Sequence, residues 1–165
     1  MVRHLRSAAW GARGGPGGRH ARGTAGRRRS LTVAVVIDAS AGVELVAETA
    51  RGKALRQLIP AGADLAVPEH FYVEVAGVLR RWEHTSVLTA AQAAVALDQL
   101  VHWPLRRATV AVLLVGTWAY RHNLTISDGL YVELADRLGA SLLTDDHRLV
   151  HAPTFPAHIP TLTIP

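Results

Sequence analysis

The sequence predicts an α/β protein, a three-layer α/β/α arrangement in which helices cover both faces of a parallel central sheet of four to five strands. Three observations predict it. From Thr32 onward, short Val/Ile/Leu-rich runs alternate with longer segments of helical periodicity, the signature of repeated strand–helix–strand crossovers. The first run, Val33 to Ile37, is apolar throughout, as a strand buried on both faces requires. The runs Val33–Ile37 and Ser141–Thr144 both lead directly into aspartate, at the end of a parallel sheet where ligands bind.

Each element has its own local reason. After the strand Val33–Ile37, Ala39-Ser40 opens a helix to about Ala50, and Arg51-Gly52 opens another that stops before Pro60. Leu65-Ala66-Val67 is a short strand halted by Pro68, and a long helix follows with Phe71, Val75, Val78, Leu79 and Trp82 at helical spacing. His84–Leu88 is a loop, and Thr89 caps an Ala-rich helix to about Trp103. Leu105–Thr109 reads as a third strand. The thirteen-residue apolar stretch Ala108–Tyr120 reads as a buried core helix, too short to span a membrane. Ser127 caps the next helix, which Gly139 closes. Ser141–Thr144 is a strand, and a last short one falls near Thr161–Ile164.

A chain of 165 residues, 49% hydrophobic, is long enough for one domain with a sizeable core. The absence of cysteine excludes disulfide frameworks, zinc ribbons and thiol catalysis. It fits a cytoplasmic protein, as does the lack of an apolar signal segment. The net charge of +5 is unevenly spread. Residues 1–30 carry eight Arg and no acid, whereas residues 31–165 carry ten Lys+Arg against thirteen Asp+Glu. The expected organisation is therefore an Arg/Gly-rich leader over 1–30, disordered or the product of a start codon called too early, followed by one domain over 31–165. A targeting peptide or a nucleic-acid-binding arm are the other readings of that leader.

Four acids stand at or near the ends of apolar segments: Asp38, Glu74, Asp128 and Asp146. Asp38 reads as a helix N-cap or as a metal ligand at a strand end, with Ser40 capping or bonding in the same pocket. Glu74 lies at the rim of an apolar helical face, where an acid should be paired with Arg80 or Arg81 or be coordinated. Asp128 falls in the first turn of its helix, favoured there by the dipole, and again borders the apolar face. Glu133 and Asp136 lie on the outer side of that helix as solvent residues. Asp145 and Asp146 share a turn, of which Asp146 is the preferred site residue, with Thr144 orienting a ligand or merely ending a strand.

Singly, each acid has a structural explanation. Together, four converging acids would repel unless a cation joined them, and a hard divalent ion is the cation such oxygens suit. The pattern points to a metal-dependent nuclease. Rival chemistries lack their motifs: no G-x-S-x-G elbow, P-loop or H-E-x-x-H pair occurs, and Asp38-Ala39-Ser40 lacks the second Asp of a haloacid-type phosphatase.

The segments VVIDASAGVELV, LAVPEHFYVEVAGVLRR and TWAYRHNLTISDGLYVELADRLGASLLTDDHRL resemble the PIN-domain ribonuclease toxins of the VapC type, in family order, over roughly Val33 to Val150. The resemblance implies a PIN-like fold and a metal site made of Asp38, Glu74, Asp128 and Asp146. Its Thr-x-Asp pattern selects Asp146 over Asp145. Gly129 departs from the usual Ala, and the leader has no counterpart. The resemblance further implies an Mg²⁺-dependent endoribonuclease, with Mn²⁺ able to substitute, that acts on RNA and leaves 5′-phosphate and 3′-hydroxyl ends. It also implies restraint by a cognate VapB-type antitoxin and assembly as a homodimer. Arg80, Arg81, Arg106, Arg107 and Arg148 read as phosphate contacts or, more ordinarily for such residues, as solvated surface side chains. The alternatives are a PIN-fold nuclease acting on DNA or in RNA processing, and a catalytically silent PIN interaction module.

Overall fold

The computed structural model describes residues 33–165, and the reading of residues 1–30 lies outside the described residues. Five strands, β1 (Ala34–Ile37), β2 (Asp64–Pro68), β3 (Arg106–Ala108), β4 (Ser141–Leu143) and β5 (Thr161–Leu162), form one sheet in the order β3-β2-β1-β4-β5. Every pairing is parallel; β1 meets β2 with Val35 opposite Leu65, and β4 with Val36 opposite Leu142. β1 is the central strand and is apolar on both faces: Val35, Val36 and Ile37 are fully buried.

The helices are α1 (Ala39–Val46), α2 (Ala50–Leu58), α3 (Phe71–His84), α4 (Ala90–His102), α5 (Val110–Thr117), α6 (Ile126–Leu138) and α7 (His147–Val150), with a 3₁₀ turn at Trp118–Tyr120. No described helix is long and apolar enough to cross a membrane. The chain builds outward from β1 through β2 to β3, then returns to add β4 and β5 on the other side. That reversal opens a crevice at the carboxyl ends of β1 and β4. Asp38 follows one strand and Thr144 to Asp146 follow the other.

Three local expectations are corrected. The N-cap of α6 is Thr125, whose hydroxyl accepts the Asp128 N–H at 3.1 Å, and Ser127 is thereby released for another partner. The α5 segment is not a buried helix: Leu113 and Thr117 are buried, while Val112, Val115 and Trp118 are 55%, 85% and 60% exposed. Its composition is apolar all round, so no periodicity tells which side meets α6. Glu133 is buried at 7% exposure and is not a solvent residue; its carboxylate lies against Gly116 of α5 and pairs with Arg137 at 2.5 Å.

Gly129 is explained by the same helix pair. A Cβ there would stand 2.9 Å from the Thr117 methyl, closer than packed carbons sit, so the alanine usual at this position would force α5 and α6 apart. Gly139 closes α6 with φ 58°, the left-handed conformation that glycine adopts freely.

Candidate functional site

Asp38 leaves β1 with extended backbone and caps α1. Its Oδ2 accepts from the Ser40 hydroxyl at 2.5 Å, the Ser40 N–H at 3.4 Å and the Thr144 hydroxyl at 2.8 Å. The cap of α1 is therefore Asp38 and not Ser40, whose hydroxyl instead bonds within the pocket. Asp38 is only 5% exposed, and among the described residues no Lys or Arg is a hydrogen-bond or ion-pair partner of it. Burial pushes its carboxyl above the ordinary range, opposed by the Ser40 and Thr144 hydroxyls and reinforced by the charge of Asp128.

Thr144 ties the two strand ends together. Its buried hydroxyl donates to Asp38 and accepts the Asp146 N–H at 3.0 Å, while the Ser40 hydroxyl accepts the Asp145 N–H at 2.9 Å. The turn after β4 is thus stitched to the turn after β1, and its two acids diverge. Asp145 turns to Arg51 of α2, accepting from Nε at 2.8 Å and Nη2 at 2.6 Å. Asp146 caps α7: Oδ1 accepts the Arg148 backbone N–H at 2.8 Å and its Nε at 3.3 Å, and Oδ2 accepts Nη2 at 3.4 Å. Partial burial works against ionisation of Asp146, but these bonds and the Arg148 charge hold its carboxyl below the usual range.

Glu74, in the first turn of α3, is paired with neither Arg80 nor Arg81, both of which are exposed. Its Oε1 accepts from the Ser127 hydroxyl at 2.6 Å and its Oε2 from the Tyr131 hydroxyl at 2.6 Å. His70 Nε2 lies 3.3 Å from Oε2, at ion-pair distance but off the line of a hydrogen bond, and neither ring nitrogen has a hydrogen-bond partner. Burial would raise the carboxyl, but the His70 ring and the two hydroxyls outweigh it and hold Glu74 at about 2. Asp128 accepts from the Thr125 hydroxyl at 2.7 Å, so the capping reading of this acid is realised through Thr125.

Tyr131 joins three of the acids. Burial, then the charge and hydrogen bond of Glu74, then the charges of Asp38 and Asp128, push its phenol far above the ordinary range. Sequence reasoning placed Tyr131 only on the apolar face of its helix. The usable signal was its position, three residues after Asp128 and so on the same side of α6. His70 was missed as well, although it stands four residues before Glu74, one helical turn away. Arg51 had no local signal at all.

Among the described residues, no three Asp, Glu or His side chains stand as a ready metal cage. Asp128 accepts from Thr125 through Oδ2, and Asp146 meets Arg148 through both of its oxygens. His147 and His151 stand one turn apart on α7, but the His151 ring bonds the His147 carbonyl at 2.6 Å. The donor chemistry nevertheless suits a hard divalent ion: every candidate ligand atom is a carboxylate oxygen, and Asp38 is a buried acid without a cation partner among the described residues. Arg106 and Arg107 line a cleft of about 340 Å³ beside β3, together with Leu134, Arg137 and Leu138, and none of the four acids borders it.

The PIN-domain family profile matches residues 35–154. Over 119 residues the chain is 42% identical to ribonuclease VapC3 of Mycobacterium tuberculosis, covering 72% of this chain and 86% of that one. Its fold is similar to that of Mycobacterium tuberculosis VapC20, described as a toxin cleaving the sarcin–ricin loop, with TM-score 0.54 and 18% identity over 70% of this chain and 92% of that one. It is similar also to a chain of VapBC2 from Rickettsia felis, solved bound to a DNA fragment of its own promoter, with TM-score 0.56 and 10% identity over 81% and 100%.

Proposed function

The chain belongs to the PIN-domain family, among its VapC-type ribonucleases, and from that premise we propose that it is the toxin of a toxin–antitoxin pair, hydrolysing RNA phosphodiesters with Asp38, Glu74, Asp128 and Asp146. The observation that carries the site assignment is Asp38: a carboxylate 5% exposed, oriented by two hydroxyls and without a cation partner among the described residues, at the carboxyl end of the central strand. A buried charge of this kind is unfavourable unless a cation compensates it.

Asp38, Asp128 and Asp146 would hold the divalent ion, Mg²⁺ with Mn²⁺ as its substitute, and Glu74 would add a ligand or position the attacking water. Such an ion, when bound, polarises the phosphodiester and lowers the pKa of the water. Ser40 and Thr144 fix Asp38 in one orientation through Oδ2, leaving Oδ1 outside those bonds. Ser127 and Tyr131 keep Glu74 ionised and immobile, so that it can accept a hydrogen bond from water or bind the ion without reorganising. Attack by water, and not by the ribose 2′-hydroxyl, would leave 5′-phosphate and 3′-hydroxyl ends.

The proposed partners are an RNA substrate, a VapB-type antitoxin and a second copy of the chain. The antitoxin is supported by the relatives' toxin type and by the likeness to a VapBC assembly. The homodimer is supported by the apolar side chains that α5 leaves in solvent, Val112 and Val115 with Trp118. Sedimentation of the wild type and of Val115→Glu tests the dimer; a wild-type monomer ends that part of the reading.

The deciding experiment incubates the purified chain with RNA in Mg²⁺, Mn²⁺ or EDTA, beside Asp38→Asn. Cleavage that needs the metal and vanishes in the variant supports the whole assignment. Cleavage of single-stranded DNA at the same rate would transfer it to the DNA-acting alternative. A folded chain that binds no Mn²⁺ and cuts nothing would favour the silent interaction module.

A further inference from the structure

Among the described residues, Arg148 is an arginine paired with one of the four acids, and its geometry is that of a movable cation. Its guanidinium covers both oxygens of Asp146, Nε to Oδ1 at 3.3 Å and Nη2 to Oδ2 at 3.4 Å, distances too long for strong charge-assisted bonds. The side chain is 93% exposed, so little packing holds it there. The charge of Asp128 also acts on it, more weakly than that of Asp146. Asp146 itself does not depend on that guanidinium for its position, because the Arg148 backbone N–H holds Oδ1 at 2.8 Å and caps α7 whatever the side chain does.

We propose that Arg148 is the site's own competing cation: its guanidinium shares the Asp146 carboxylate, yields it when a divalent ion binds, and is then free to grip a phosphate of the RNA. The inference rests on the four-acid reading above. Electrostatics favours the exchange, since a guanidinium and a divalent ion on one carboxylate repel each other, and the doubly charged ion draws the acids more strongly. The released group remains within a side chain's length of the acids. Its planar fork matches two phosphate oxygens, which a lysine ammonium does not. Arg148 thus weakens metal binding in the free protein and strengthens substrate binding in the loaded one. A residue serving only to cap or stabilise α7 would do neither.

Calorimetric titration of the full chain with Mn²⁺, without RNA, tests this on the wild type, Arg148→Gln, Arg148→Lys and Asp38→Asn. Arg148→Gln is expected to bind Mn²⁺ about two- to fivefold more tightly than the wild type, the size set by an exposed ion pair. That gain should shrink at high salt, where such pairs are screened. At saturating Mn²⁺ the same variant should show a raised KM for RNA with kcat little changed, and Arg148→Lys should recover the metal affinity of the wild type but only part of its KM. Unchanged or weaker Mn²⁺ binding by Arg148→Gln overturns the proposal while leaving the four-acid site standing. Mn²⁺ binding that Asp38→Asn leaves untouched, or no binding at all, overturns the four-acid reading and this proposal with it.

Discussion

Arg51 and Asp145 form a two-pronged ion pair across 94 positions of sequence, Nε to Oδ2 at 2.8 Å and Nη2 to Oδ1 at 2.6 Å. The pair anchors the turn after β4 to α2 and settles the orientation of an acidic doublet. With Asp145 held toward α2, Asp146 is left on the side of Thr144 and Asp38. Asp145→Asn should therefore keep RNA cleavage within about threefold of the wild type, the scale of a lost exposed pair, whereas Asp146→Asn should remove it. Initial rates at saturating metal make the comparison; equal losses would contradict this division of roles.

Asp38→Asn should separate activity from stability. Burial raises the Asp38 carboxyl, so its ionisation opposes folding at every pH above the unfolded value of 3.8. The sign is that of a raised acid: the stability penalty is absent below 3.8 and grows as pH rises. In EDTA at neutral pH the variant should be more stable than the wild type, by about 0.5–2 kcal/mol as for other relieved site residues, while losing both cleavage and the Mn²⁺-induced gain in Tm. Urea unfolding with and without Mn²⁺ reads both effects.

Glu74 has the opposite sign. Its folded value of about 2 lies below the unfolded 4.5, so its contribution to stability is complete above 4.5 and is lost as pH falls from there toward about 2. Tyr131→Phe removes the hydroxyl at 2.6 Å and should cost about 1.5–3 kcal/mol, as for a hydrogen bond to a charged group. It should also move the acid-induced loss of stability to higher pH. Unfolding curves between pH 2 and 6 on both proteins check the shift; coincident pH profiles would show that Tyr131 does not hold the Glu74 charge.

Gly116 and Glu133 should prove interdependent. Any Cβ at residue 116 would fall on the Glu133 carboxylate, which is buried and paired with Arg137. Gly116→Ala is expected to destabilise by roughly 1–3 kcal/mol through overpacking. In a Glu133→Ala background the same change should cost much less, and a double-mutant cycle measures that coupling directly. Additive losses would mean that α5 moves aside freely.

Much of the fold was legible in the chain itself. The run Val33 to Ile37 was legible as a buried strand, realised as Ala34–Ile37 with Val33 left 50% exposed, and the alternation of such runs with helical segments made the sheet parallel. Asp38 and Asp146 could be assigned to one end of that sheet because strand direction follows from the crossovers. The candidate site was legible to the same extent: its four acids stand at strand and helix ends, where periodicity and capping chemistry are strongest. α5 was misjudged because a segment apolar on every side carries no information about which side is covered. Glu133 was misjudged because its burial depends on a glycine of another helix, seventeen residues earlier.

By itself, then, the sequence determined the parallel direction of the strands, the end of the sheet where Asp38 and Asp146 stand, and which side chains are carboxylates. These follow from local periods of two and 3.6 residues and from the handedness of crossovers. Tertiary structure alone decided the partners: Tyr131 and Ser127 on Glu74, Thr144 on Asp38, Arg51 on Asp145, Arg148 on Asp146. Three of those four sets join residues more than fifty positions apart. A hydrogen bond depends on positions within a few tenths of an ångström, and only the packed arrangement of separate helices and strands supplies them.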